Sequence, residues 1–176
     1  MKSNNLLIIG GLGLLAYLLL NSSNANAEEN SAPGNLDLSG LTTDATDLNY
    51  LNQLYQSLQD AGLTNQQILF CLSQILLESG INTQQGNYRL ISKYNFAGLK
   101  DTAGNYKSYS NTDDFVSDYI GFLTKKANPL GATSLTDFNN RLQQNCYYGC
   151  PPETNPAQYL ANLQAYYNQL VNTSKG

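Results

Sequence analysis

The sequence predicts a mainly α domain with a small β-hairpin lobe, preceded by an N-terminal hydrophobic helix and a flexible linker. Apolar residues recur at helical spacing in several blocks after residue 43, most of them opened by a Ser, Thr, Asp or Asn suited to a helix cap. One turn-rich cluster, Asp101-Thr102-Ala103-Gly104-Asn105, separates two short runs in NFAGLKDTAGNYKSYS, which is the pattern of a hairpin. Before residue 45 the chain is first almost wholly apolar and then almost wholly polar.

In chain order, residues 1–20 hold an apolar run from Leu6 to Leu20 after a single Lys2. As a helix that run is about 22 Å long, against roughly 30 Å of bilayer hydrocarbon. The length favours the h-region of a signal peptide, and Ala25-Asn26-Ala27 before Glu28 has the form of a cleavage site. An uncleaved membrane anchor is the alternative, and either sends the remainder onto or across a membrane. Residues 21–44 offer too few large apolar side chains to offset their ordering entropy, so they read as a tether spanning about 25 to 30 Å.

The folded part is expected over residues 45–172. Asp47 is placed to cap a helix in which Leu48, Leu51, Leu54, Tyr55 and Leu58 share a face, ending at Ala61-Gly62. Thr64-Asn65-Gln66-Gln67 has the capping-box form and opens the apolar helix ILFCLSQILLESG. Thr112 or Asp113 opens a third, carrying Phe115, Tyr119, Phe122 and Leu123 on one side. Ser134 starts a fourth, and Asn155-Pro156, a cap followed by Pro at the first helical position, starts the last, running to about Val171.

Composition narrows the chemistry. The chain of 176 residues has a net charge of −4 and no basic stripe, so nucleic acid is not an expected partner. It contains no His, which excludes Ser-His-Asp and Cys-His nucleophiles and the usual His-based zinc hydrolases. Its three cysteines lack the partners for a metal site, and no metal or cofactor is expected. Cys71 reads as a small core hydrophobe, while Cys146 and Cys150 form either a disulfide or two loop thiols.

Glu78 is the residue that the sequence singles out. The helix before it is apolar nearly all round and should sit centrally, carrying the carboxyl to the edge of the core. Apolar surroundings, the negative end of the helix dipole and any carboxylate across a cleft all raise a carboxyl pKa. Such a group is still protonated near neutral pH and can act as a general acid. Ser79-Gly80 then reads as the helix stop, with Gly in the left-handed position. The alternative is a solvated residue at a frayed helix end, but beyond the tether the chain has only two Glu, Glu78 and Glu153.

Four ordered segments carry a resemblance. Ser73-Gln74-Ile75-Leu76-Leu77-Glu78-Ser79-Gly80 resembles the A-Q-x-x-L-E-S-G motif of the β-N-acetylglucosaminidase family of autolysins, flagellar peptidoglycan hydrolases and phage lysins. Asn95-Phe96-Ala97-Gly98-Leu99-Lys100 is similar to that family's N-L-F-G-I-K. Tyr109 to Leu123 is similar to its Y-x-S-x-x-x-S-F-x-D-Y-x-x-F-L, and Asn155-Pro156-Ala157-Gln158-Tyr159 to its D-P-x-Y. The resemblance implies a lysozyme-like fold that cleaves β-1,4 bonds of peptidoglycan glycan strands, with Glu78 as general acid and Tyr159 beside it. By the same resemblance Gln74, Asn95, Gly98, Lys100 and Tyr109 are candidates for contact with substrate, although Tyr109 equally suits hairpin packing and Gln74 a buried polar role. Ile81-Asn82 replaces the family's common Trp-Gly, and Ala97 replaces an aromatic residue.

Ordinary glycoside hydrolysis uses a second carboxylate, about 5 to 9.5 Å away according to the stereochemical outcome. The candidates are Asp101, Asp113, Asp114 and Glu153, of which Asp113 and Asp114 also suit helix capping and Asp101 a turn. A single acid suits substrate-assisted hydrolysis or lytic transglycosylation instead. A non-catalytic peptidoglycan-binding or virion scaffold is the alternative from another class. The expected setting is the bacterial envelope, extracytoplasmic or secreted, or equally the membrane of a phage virion.

Overall fold

Asp44, not Asp47, opens the first helix, α1 (Ala45–Asp60), by accepting from the backbone N–H groups of Thr46 and Asp47. Asp47 lies within the first turn and is buried, and its own N–H is one of the donors that Asp44 caps, so it cannot be the cap itself. Ala61 closes α1, and Gly62 follows at φ +78°. The structure is a computed structural model that describes residues 36–83, 86–145, 147 and 155–173. These belong to one unit, Pro33–Gly176.

Helix α2 (Asn65–Ser79) begins with the expected capping box: Gln67 N–H donates to Thr64 Oγ1, and Thr64 N–H donates back to Gln67 Oε1 at 2.8 Å. Every residue from Ile68 to Leu76 is buried, so α2 is the axis of the domain. It packs most extensively on the last helix, α6 (Pro156–Thr173). There Phe70 stands between Phe138 and Tyr167, with ring centres 5.4 and 5.9 Å away. Asn155 starts α6 as expected, its Oδ1 accepting from Ala157 N–H at 3.1 Å.

A one-turn helix, α3 (Tyr88–Ile91), and a 3₁₀ turn at Pro129–Gly131 are too short to show a periodicity in the sequence. Helix α4 (Thr112–Leu123) lies against α1 and is capped by Asn111, whose side chain accepts from Asp114 N–H at 2.9 Å. Ser134 caps α5 (Leu135–Gln144) as expected. The domain is thus mainly α.

The expected hairpin is reduced, among the described residues, to a single antiparallel bridge between Lys100 and Tyr106. Asp101 turns the chain between them by accepting from Ala103 and Asn105 N–H, both at 2.9 Å. The tether is also shorter than composition implies. Leu36, Leu38 and Leu41 are buried in the core, and Leu36 N–H donates to the Tyr55 hydroxyl at 3.2 Å. Three leucines in six residues suffice to pin a segment that is otherwise polar. Among the described residues no helix is long and apolar enough to cross a membrane. The apolar run of residues 1–20, Cys146, Cys150 and Glu153 lie outside them.

Candidate active site

The site is built around the end of α2. Gly80 terminates the helix at φ +60°, its N–H donating to Leu76 O at 2.9 Å. Ser79, fully within the core, donates from Oγ to Ile75 O at 2.7 Å and accepts from Ile81 N–H at 3.2 Å. Its carbonyl accepts from Asn87 N–H at 2.7 Å. Ser79 therefore ties the helix end to the loop on both sides. Glu78, in the last turn, is held rather than frayed.

Glu78 keeps some accessible surface, yet protein surrounds its carboxyl closely enough that burial pushes the pKa up from 4.5 to about 7. The Tyr159 hydroxyl donates to Glu78 Oε1 at 2.7 Å, which favours the ionised form and opposes part of the rise. Asn155 and Pro156 set the start of α6, and Tyr159 projects from its first turn toward α2. The other carboxyl oxygen, Oε2, faces Gly98. A Cβ at that position would stand 4.0 Å from Oε2 and 3.7 Å from Tyr106 Cε1. Gly98 itself sits at φ +65°, a conformation that glycine adopts without strain.

Behind the acid lies a buried polar group. The Tyr119 hydroxyl donates to Gln74 Oε1 at 2.5 Å and also meets Cys71. Gln74 is wholly buried and its Nε2 has no partner among the described residues. Tyr147 completes the wall: its hydroxyl donates to Ala97 O, and Glu78, Tyr159, Tyr119 and Tyr106 all act on its titration, which burial pushes up.

The structure therefore brings Glu78, Tyr159 and Gly98 together, with Gln74 one turn behind. Lys100 borders the same place through Tyr106, its Nζ 5.2 Å from the ring centre. Asn95 and Tyr109 do not join them. Asn95 is buried and consumed by backbone, donating from Nδ2 to Leu99 O and Lys107 O at 2.8 and 3.0 Å and accepting from Leu99 N–H at 2.8 Å. Tyr109 donates to Asp118 Oδ2 at 2.6 Å and packs on Phe115. Burial raises the Asp118 carboxyl, but its bonds from Lys107 and Tyr109 outweigh that and leave it low.

Of the candidate second carboxylates, Glu153 lies outside the described residues and the other three do not face Glu78. Asp101 is exposed and holds its own turn, and Asp113 accepts from Ser57 Oγ at 2.5 Å on the α1 side of α4. Asp114 is exposed on the first turn of α4. Among the described residues no acid contributes to the shift of Glu78, for which burial and Tyr159 are the causes. An open groove of about 380 Å³ lies between α1 and α4, lined by Ser57, Asp60, Asp113, Val116 and Ile120 among others, and none of the residues around Glu78 borders it.

Tyr106, Tyr119 and Tyr147 were not legible as site residues. Tyr119 reads as one of an apolar helix face, Tyr106 as a hairpin residue, and Tyr147 sits between the two loop cysteines. The chain matches no family model, no curated protein and no solved structure.

Proposed function

We propose that the domain is a peptidoglycan-degrading glycosidase of the lysozyme-like kind, cleaving β-1,4 bonds of the glycan strand with Glu78 as general acid. One observation carries the reading: a partly accessible carboxyl, fixed at a helix end, is kept protonated up to about pH 7 by burial and is oriented by a phenol. A glycosidic oxygen is taken to approach Oε2 beside Gly98, a position bordering that oxygen which adds no side chain of its own, between Tyr106 and Leu90. Protonation of that oxygen lets the sugar leave as the C–O bond breaks, and the proton of Glu78 ends on the departing hydroxyl. The ordered motif resemblance supplies the substrate class. In this reading the N-terminal apolar run carries the domain to or across a membrane.

A specific observation favours a second form of the reaction. Among the described residues no second carboxylate faces Glu78, which suits an attacking group supplied by the substrate, as in lytic transglycosylation or in attack by the N-acetyl oxygen. The products decide. Mass spectrometry of fragments released from purified peptidoglycan gives reducing amino-sugar ends for hydrolysis and 1,6-anhydro ends for transglycosylation. Both vanish with Glu78→Gln. A folded chain that releases neither is a binding module or scaffold, and the enzymatic reading falls.

A further inference from the structure

Four of the nine basic residues, Arg89, Lys93, Lys100 and Lys107, fall between residues 86 and 109, although the whole chain carries a net charge of −4. Lys107 is spent on Asp118, at 2.8 Å. Arg89 and Lys100 have no acid within ion-pair distance among the described residues. Both stand over the ring of Tyr106 instead, with Arg89 Cζ 5.6 Å and Lys100 Nζ 5.2 Å from its centre. A ring face attracts a cation and narrows the freedom of a long side chain, so the two are partly positioned before any ligand arrives.

Tyr106 is itself fixed at the edge of the candidate site. It pairs with Lys100 in the antiparallel bridge, and its Cε1 and Glu78 Oε2 lie 3.7 and 4.0 Å from the position a Cβ would take on Gly98. The cations therefore sit on the ring that lines one side of the acid. They are not used on Glu78, because neither contributes to its titration. Both residues are exposed, and neither makes an ion pair among the described residues.

We infer that Arg89 and Lys100, held over Tyr106, form a subsite for a carboxylate carried by the glycan beside the bond offered to Glu78. The inference rests on the glycosidase reading and narrows its substrate to strands whose amino sugars bear carboxylates, on the sugar's own ether side chain or on an attached peptide. Neutral strands of the same linkage, such as chitin oligomers, leave the subsite empty. A guanidinium grips a carboxylate with paired donors, and the ammonium adds a point charge.

The test is binding, measured by titration calorimetry with the full chain carrying Glu78→Gln so that strands are not consumed. Solubilised wall glycan is compared before and after methyl esterification of its carboxylates. Esterification is expected to weaken binding by about tenfold or more. Adding Arg89→Gln and Lys100→Gln should produce the same loss on untreated strands, no further loss on esterified ones, and no change with chitin oligomers. Strands with and without their peptides show whether the carboxylate is the peptide's or the sugar's. Equal affinity for native and esterified strands overturns the subsite and leaves the glycosidase reading standing. An equal loss on chitin oligomers overturns it too. No binding to any strand, with no cleavage by the unsubstituted chain, removes both.

Discussion

The hydroxyl of Tyr159 donates to Glu78 Oε1 at 2.7 Å, joining the first turn of α6 to the last turn of α2. That bond favours the carboxylate, so burial and Tyr159 pull the Glu78 pKa in opposite directions, and burial wins. Removing the hydroxyl with Tyr159→Phe should move the pKa higher still. A general acid works only while protonated, so the alkaline limb of the kcat/KM profile is expected to shift to higher pH in the variant. The rate at the optimum should fall by about tenfold or more as the carboxyl loses its orientation. An alkaline limb that stays in place, or moves to lower pH, is incompatible with this arrangement.

The same carboxyl makes a prediction about stability. Its folded pKa of about 7 exceeds the ordinary 4.5, so between those values the folded chain holds a proton that the unfolded chain releases. Stability attributable to Glu78 is therefore lost as pH rises through that window. Glu78→Gln removes the effect. Urea unfolding should show the variant gaining on the unsubstituted chain by on the order of 2 to 3 kcal/mol between pH 4 and pH 8. A gap that does not change with pH would mean that the carboxyl is solvated.

Gly98 separates packing from backbone strain. A Cβ there meets Tyr106, Leu90 and Glu78 at 3.7 to 4.0 Å, ordinary contact distances, while φ of +65° is unfavourable for alanine. Gly98→Ala should fold and lose about 1 kcal/mol of stability. Its methyl group would occupy the approach to Oε2, so cleavage should fall by more than the stability loss accounts for. Thermal unfolding and turnover measured on the same sample test both parts, and unchanged turnover refutes the approach over Gly98.

How much of this was legible depends on the length scale of each signal. Helix α2 was read in full, because Thr64 and Gln67 mark its start, Gly80 its end, and the apolar run between them needs no tertiary information. The cap of α1 is ambiguous in the sequence, since Asp44 and Asp47 both suit an N-terminus and only the backbone separates them. The tether is shorter than composition implies because composition averages over Leu36, Leu38 and Leu41, which join a core built largely from residues far away in sequence. Glu78 stood out by rarity, but the tyrosines around it did not. In a chain with thirteen Tyr, only the fold distinguishes Tyr147 and Tyr106 from the others.

Asn95 shows the converse, a motif residue whose place in the fold is structural. Its side chain makes three bonds to the backbone of Leu99 and Lys107, and so shapes the loop that carries Gly98 and Lys100. Asn95→Ala leaves those buried groups without partners and should cost about 2 to 4 kcal/mol. If Asn95 served substrate instead, urea unfolding of the variant would be unchanged while KM rose.

The polar group behind the acid can be tested as a unit. Tyr119 and Gln74 are both buried, and their 2.5 Å bond satisfies Gln74 Oε1, while Nε2 has no partner among the described residues. Tyr119→Phe strands both ends of the amide, and Gln74→Leu strands the phenol except for its contact with Cys71. Each single change should therefore cost about 1 to 3 kcal/mol. The double variant replaces a half-satisfied pair with apolar groups of similar size, which removes the stranded partners along with the bond. Its cost should fall short of the sum of the single costs by about 1 kcal/mol or more. Additive losses in that cycle would show that the two side chains stabilise the core separately, and that the bond between them contributes little to holding α2, and with it Glu78, against α4.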